Sequence, residues 1–265
     1  MILPAYPLQQ ELVVNGLELA FRRTAGAANR PTLVFLHDSL GSIDLWRDFP
    51  AALGAATNCP TLVYDRQGHG RSSPFTGELR PTTYMEAEAD VLEQVLVHCG
   101  IGQVILFGHS DGGSIALLAA AKHPARVRAV ITEGAHIFVE EVTLAGIRAA
   151  VEAYQTTNLP QRLQKYHSAK TEALFAAWAH TWLRADYRDW NIEAFLPLVA
   201  CPVLVVQGEE DEYGSLAQVE GIVQQVAGPA RPLLIPGIGH SPHKDSRETV
   251  LEQAAAFISQ VVEKG

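Results

Sequence analysis

The sequence predicts an α/β fold, a mostly parallel sheet with helices on both faces. Two observations carry this. Short apolar runs alternate with helical patterns along most of the chain. The alternation breaks once, from His136 to about Pro197, where helical patterns follow one another without strands between them. A helical block inside a βα series reads as an insertion over the sheet. It divides the chain into a core of residues 1–135 and 198–265 and a helical cap of residues 136–197.

The elements run in order. Glu11 to Val14 and Leu17 to Arg23 flank Asn15-Gly16, the dipeptide that most strongly signals a hairpin. Thr32 to Leu36 is a short apolar strand. Leu45, Trp46, Phe49, Leu53 and Ala56 then recur at helical spacing. Pro60 to Tyr64 is the next strand, and a helix runs from about Thr83 to His98. Val104 to Phe107 is a buried strand, followed at once by Gly108-His109-Ser110-Asp111-Gly112-Gly113 and a helix from Ser114 to Ala121. Val127 to Thr132 is another strand. After the insertion come a strand at Pro202 to Gln207, a helix at Leu216 to Val226, a strand at Arg231 to Ile235 and a last helix at Glu248 to Val262.

Composition narrows the function classes. Of 265 residues, 48% are hydrophobic, enough for a full core. The formal net charge is −9 with no Lys/Arg block, so no nucleic acid is expected as a partner. No long uncharged apolar run is present, so no membrane span is expected. Met1 to Pro7 lacks the basic and apolar parts of a signal peptide. Cys59, Cys99 and Cys201 lie far apart without C-x-x-C spacing, which suits reduced thiols in a cytoplasmic protein. Neither H-E-x-x-H nor a phosphate-binding glycine loop occurs, so no metal and no cofactor are expected. A small molecule is the expected partner, and self-association into a homo-oligomer stays open.

In folds of this class ligands sit at the carboxyl ends of the strands. The loops to watch follow His37, Asp65, Ser110, Glu133, Gly208 and Gly237. Ser110 stands in a G-x-S-x-G motif between a strand and a helix, the context in which a tight glycine turn exposes a serine hydroxyl. Such a serine needs a base, normally a histidine oriented by a carboxylate. Of ten histidines, His240 lies in a glycine-rich loop past the last strand and ranks first, with His243 as fallback. His37, His69 and His109 read as supports of turns. For the carboxylate, Asp211 follows one strand and Glu133 another, and spacing alone leaves both open.

Ser110, Asp211 and His240 in that chain order resemble the α/β-hydrolase superfamily. The same is true of the His37 loop, Asp65-x-x-Gly68-x-Gly70-x-Ser72 and Gly239-His240-Ser241-Pro242. The resemblance spans nearly the whole chain. It implies an eight-stranded α/β-hydrolase sheet with a cap after the sixth strand. It also implies Ser110 as nucleophile, His240 as base and then acid, and Asp211 as orienting acid. The oxyanion hole would use the amides of Ser39 and Asp111, with Asp38, Leu40 and Asp111 beside the substrate. Asp65 to Ser72 would be a structural turn.

Asp38 stands where glycine is usual in this superfamily. The Ser110-Asp111-Gly112-Gly113 elbow resembles that of biphenyl-hydrolase-like α-amino ester hydrolases. Asp38 and Asp111 therefore share two readings: each caps a turn or a helix terminus, or one of them accepts a cationic substrate group. The aromatic residues of the insertion read as packing and pocket wall.

The expected activity is hydrolysis of an ester, thioester or lactone through an acyl-enzyme. C–C bond hydrolysis or a lyase reaction on the same residues is the first alternative. The Leu40-Gly41-Ser42 segment faintly resembles menaquinone-pathway relatives. A non-catalytic ligand receptor is the second.

Overall fold

A computed structural model of the chain describes residues 10–76 and 79–263. The N-terminal Met1 to Pro7 lies outside the described residues. The sheet has eight strands: β1 (Gln10–Val14), β2 (Leu17–Thr24), β3 (Thr32–Leu36), β4 (Thr61–Tyr64), β5 (Val104–His109), β6 (Val127–Glu133), β7 (Val203–Gly208) and β8 (Ala230–Ile235). Their order is β1-β2-β4-β3-β5-β6-β7-β8. β1, β2 and β4 pair antiparallel and the remaining pairs are parallel. Asn15 and Gly16 both take positive φ, 52° and 78°, the backbone a two-residue hairpin turn requires.

The helices are α1 (Phe49–Thr57), α2 (Tyr84–His98), α3 (Asp111–Lys122), α4 (Glu141–Thr156), α5 (Leu159–His167), α6 (Thr171–Leu183), α7 (Leu216–Gln225), α8 (Pro242–Asp245) and α9 (Arg247–Glu263). Every residue of β3, β4, β5 and β7 is buried, because a parallel sheet covered on both faces is apolar on both. Val34, Leu36, Leu106 and Val130 pack toward α2, α3 and α7. Phe35, Ile105, Phe107 and Ile131 pack toward α1 and α9.

The predicted helix at Leu45 to Ala56 begins late. Ile43–Trp46 forms a 3₁₀ turn, Arg47 takes φ 53°, and the α-helix starts at Phe49 with Pro50 in its first turn. The helix after Ser110 starts earlier than predicted, at Asp111, since Gly112 and Gly113 are helical. α8 starts two residues after His240, at Pro242, in a stretch the sequence pattern leaves as a loop.

α4, α5 and α6 lie between β6 and β7, and a bridge between Phe138 and Asn191 ties the two ends of this insertion together. Trp178, Trp182, Tyr187 and Trp190 join the same buried cluster as α2 and α3. The insertion thus shares the core of one sheet face. Among the described residues no helix is long and apolar enough to cross a membrane. The three cysteines are free thiols.

Candidate active site

Register brings several strand ends to one edge. Leu36 is level with Gly108, His109 with Glu133, and Glu133 with Val206. At this edge the chain turns sharply at Ser110, which holds φ 54° and ψ −121°. The turn needs glycines on both sides. A Cβ on Gly108 would stand 2.1 Å from the Gly112 carbonyl oxygen, and one on Gly112 would stand 2.0 Å from that of Leu36. The Ser110 amide donates to the Glu133 carbonyl at 2.8 Å, fixing the elbow to β6. α3 begins at the next residue. The Asp111 amide therefore lies in the first helical turn, where N–H groups have no acceptor within the helix.

The structure pairs His240 with Asp211. The His240 Nδ1–H donates to the two carboxylate oxygens of Asp211 at 2.8 and 2.9 Å. That leaves Nε2 as the basic nitrogen of the ring. Asp211 also accepts from Gln207 Nε2 at 2.7 Å and from the amides of Tyr213 and Gly214 at 2.8 and 3.2 Å. Burial pushes the His240 pKa down, but the hydrogen bonds and charge of Asp211 outweigh it, so it lies above its ordinary value. Burial likewise pushes Asp211 up, and His240 with the Tyr213 amide brings it below the usual carboxylate range.

Glu133 and His243, the other acid and base candidates, pair with each other. His243 Nδ1 lies 2.8 Å from Glu133 Oε2, and the His243 amide donates to Oε1. Among the described residues, His109, Glu133 and His243 form one trio with potential metal-binding atoms within 4.8 Å of each other. Both Glu133 oxygens are taken by His243, and His109 Nε2 donates to the His240 carbonyl at 2.8 Å. The trio is a hydrogen-bonded support. Burial drives the His109 pKa down to about 3, so its ring is neutral.

The loop after β3 carries Asp38, Ser39 and Leu40 into the same cavity as Ser110, Asp111 and His240. Arg66, fully buried, holds this loop from behind. Its Nη2 donates to the carbonyls of His37 and Asp38 at 3.1 and 2.8 Å, and its amide donates to His37 Nε2 at 3.1 Å. His167 of α5 reaches across with Nε2 2.9 Å from the Leu40 carbonyl. In the Asp65 to Ser72 turn, Asp65 accepts from the amides of Ile43 and Arg71.

Asp111 is 1% exposed. Its Oδ2 accepts from the Tyr84 hydroxyl at 2.9 Å and lies 4.0 Å from Arg66 Nη1. Its carboxylate goes to Tyr84 through Oδ2, and among the described residues Oδ1 has no hydrogen-bond partner. The Asp38 side chain is 23% exposed and lies 3.6 Å from His109 Nδ1.

The cavity is about 100 Å³. Ile147, Trp178, Trp182 and Tyr213 supply its apolar wall, and among the described residues no Lys or Arg lines it. The aromatic residues of the insertion divide accordingly. Trp178 and Trp182 face the cavity, whereas Tyr187 and Trp190 stack on each other at 5.6 Å.

A family model described as alpha/beta hydrolase fold matches residues 31–195. The chain belongs to this family. Curated relatives of this hydrolase include the mouse "Serine hydrolase BPHL", 29% identical over 88% of this chain and 80% of that one. Another is the "2-succinyl-6-hydroxy-2,4-cyclohexadiene-1-carboxylate synthase" of Enterobacter sp. (strain 638), 27% identical over 81% of this chain and 73% of that one. Among solved structures, the hydrolase superposes on a proline iminopeptidase from Mycobacterium smegmatis with TM-score 0.75 and 19% identity, covering 97% of this chain and 99% of that one. A thermophilic esterase from Thermogutta terrifontis gives TM-score 0.70 and 22% identity over 96% and 99%.

Gly134, Gln207, Tyr213 and Arg66 are residues of the hydrolase's site that the sequence reading missed. Gly134, at φ 57°, packs against the Asp211–His240 pair, where a Cβ would come 2.9 Å from His240 Cε1 and Nδ1. Gln207 binds Asp211, Tyr213 lies 4.8 Å from the His240 ring centre, and Arg66 holds the Asp38 loop. Only Gly134 carried a signal, as a glycine directly after a strand.

Proposed function

We propose that the protein is a cofactor-independent serine hydrolase of carboxylic esters, thioesters or lactones. The observation that carries the reading is the Asp211–His240 pair at one cavity with Ser110, whose backbone is held in a strained turn. Ser110 Oγ attacks the carbonyl carbon while His240 Nε2 takes its proton. The amides of Ser39 and Asp111 stabilise the oxyanion. His240 then protonates the leaving group, and water activated by His240 releases the acyl group from Ser110. Asp211 holds the ring in one tautomer throughout.

The small cavity and its aromatic wall favour a short acyl group. Asp38 and Asp111 in the lining, with Arg66 set against Asp111 from outside the cavity, favour neutral or cationic substrates. The same lining disfavours the reaction named for the Enterobacter relative, whose product is a succinyl-bearing carboxylate. Between the two acids, the partly exposed Asp38 suits a substrate ammonium better than Asp111, which already binds Tyr84.

The test is hydrolysis of p-nitrophenyl butyrate by wild type and Ser110→Ala. Wild-type turnover that disappears in Ser110→Ala supports the reading; equal rates overturn it. Assaying a diketone beside the ester separates ester from C–C bond cleavage, and an absence of turnover on both favours a receptor.

A further inference from the structure

Glu133 touches both halves of the site. Its carbonyl accepts from the Ser110 amide at 2.8 Å. Its side chain, 0% exposed, accepts from the amide and Nδ1–H of His243, three residues past His240. The next residue, Gly134, lies against the His240 ring itself. One residue at the end of β6 thus meets the nucleophile's turn through its backbone and the base's loop through its carboxylate.

The His240 loop has other anchors, first among them the Asp211 carboxylate on the ring of His240. Its carbonyl is held by His109, its amide by Glu212 at 3.2 Å, and the Ile238 carbonyl accepts from the Glu210 amide. The His243 ring is clamped from the other side by Trp46, at 4.6 Å between ring centres, and by Phe49 at 5.7 Å. A carboxylate buried this deeply is expensive unless it is fully bonded, and here both oxygens are. Burial pushes Glu133 up, but His243 outweighs it and leaves the carboxyl below its ordinary range.

We propose that Glu133 is a positioning residue that, through its buried pair with His243, fixes the loop bearing His240 relative to the strand end bearing Ser110. The inference rests on the serine-hydrolase reading. Neither Glu133 nor His243 touches the substrate. Their effect is to hold His240 Nε2 where it receives the Ser110 proton, so loss of the pair lowers the rate of acylation and leaves substrate binding alone. A misplacement of about 1 Å at such a site can reduce rate on the order of a hundredfold.

The experiment uses the whole chain, with a fluorophosphonate probe for the rate of Ser110 modification and p-nitrophenyl butyrate for kcat and KM. The variants are Glu133→Gln, His243→Ala, His243→Asn and the double variant Glu133→Gln/His243→Ala. Asparagine at 243 keeps an amide N–H where histidine has Nδ1–H, so it can still donate to Glu133. The expected result is that Glu133→Gln and His243→Ala lower kcat and the labelling rate by roughly ten- to a hundredfold. KM stays within about twofold of wild type, since only the proton-transfer geometry has changed. His243→Asn recovers most of the rate, and the double variant is no slower than the slower single one, as expected of a coupled pair.

Wild-type labelling rates in Glu133→Gln or His243→Ala overturn the inference. So does equal loss in His243→Asn and His243→Ala, or a loss that falls wholly on KM. Should Glu133→Gln not fold, the comparison of the two His243 variants decides by itself. A wild-type protein that the probe does not label at Ser110 instead overturns the serine-hydrolase reading, and the inference with it.

Discussion

Asp211 and His240 meet through both carboxylate oxygens, at 2.8 and 2.9 Å from Nδ1. The carboxylate is itself held by Gln207 and by two backbone amides, so the imidazole is oriented by a group that has little freedom to move.

This arrangement sets the pH dependence. A general base must be neutral, so kcat/KM should fall as pH drops through the His240 pKa, which Asp211 holds above its ordinary value. In Asp211→Asn the carboxylate's raising effect is gone while burial remains. The acid limb of the kcat/KM profile should then move to lower pH, and kcat should fall on the order of 10⁴-fold. An unmoved limb would show that Asp211 does not set the pKa of the base.

Gly134 permits this pair to exist. Alanine there adds a Cβ 2.9 Å from the His240 ring and strains a backbone at φ 57°. Gly100 offers the matching control, with φ 64° and nothing within 4 Å of an added Cβ. Both Gly134→Ala and Gly100→Ala should lose stability of about 1–2 kcal/mol from the left-handed backbone, read as a lower Tm. Only Gly134→Ala should also lose activity, by tenfold or more. Equal activity in the two variants would contradict the packing described for Gly134.

The cavity's charge predicts selectivity. With Asp38 and Asp111 in its lining and, among the described residues, no Lys or Arg there, an amino-acid ester should be hydrolysed faster than its des-amino analogue. Asp38→Asn should reduce that preference by roughly tenfold, the scale of one hydrogen bond to a charged group. Asp111→Ala should reduce it less, because Asp111 serves Tyr84. The comparison of kcat/KM for the two esters in three proteins checks this, and an unchanged ratio would remove both acids from substrate recognition.

Much of this was legible before the structure. Val104 to Phe107 and Val203 to Gln207 are buried on both faces and so read as continuous apolar runs, and the turn at Ser110 announces itself through its glycines. What spacing left open was which acid serves which histidine. Asp211 and Glu133 both follow strands, and His240 and His243 are three residues apart. The family resemblance pointed to Asp211, and in the structure the end of β6, level with His109 and Val206, carries Glu133 to His243 while Asp211 pairs with His240. The Asp111–Tyr84 bond spans 27 residues, and the Arg66 clamp on Asp38 spans 28. No local pattern encodes such pairs. The late start of α1 turns on the positive φ of Arg47, which apolar periodicity does not register.

The account's central claim is that Ser110 is a nucleophile activated by His240. Its most direct test is fluorophosphonate labelling followed by peptide mass mapping of wild type, Ser110→Ala and His240→Ala. The account predicts one label per chain on the peptide containing Ser110, no label in Ser110→Ala and a strongly slowed reaction in His240→Ala. A wild type that stays unlabelled, a label on another residue, or unchanged labelling of His240→Ala would contradict it.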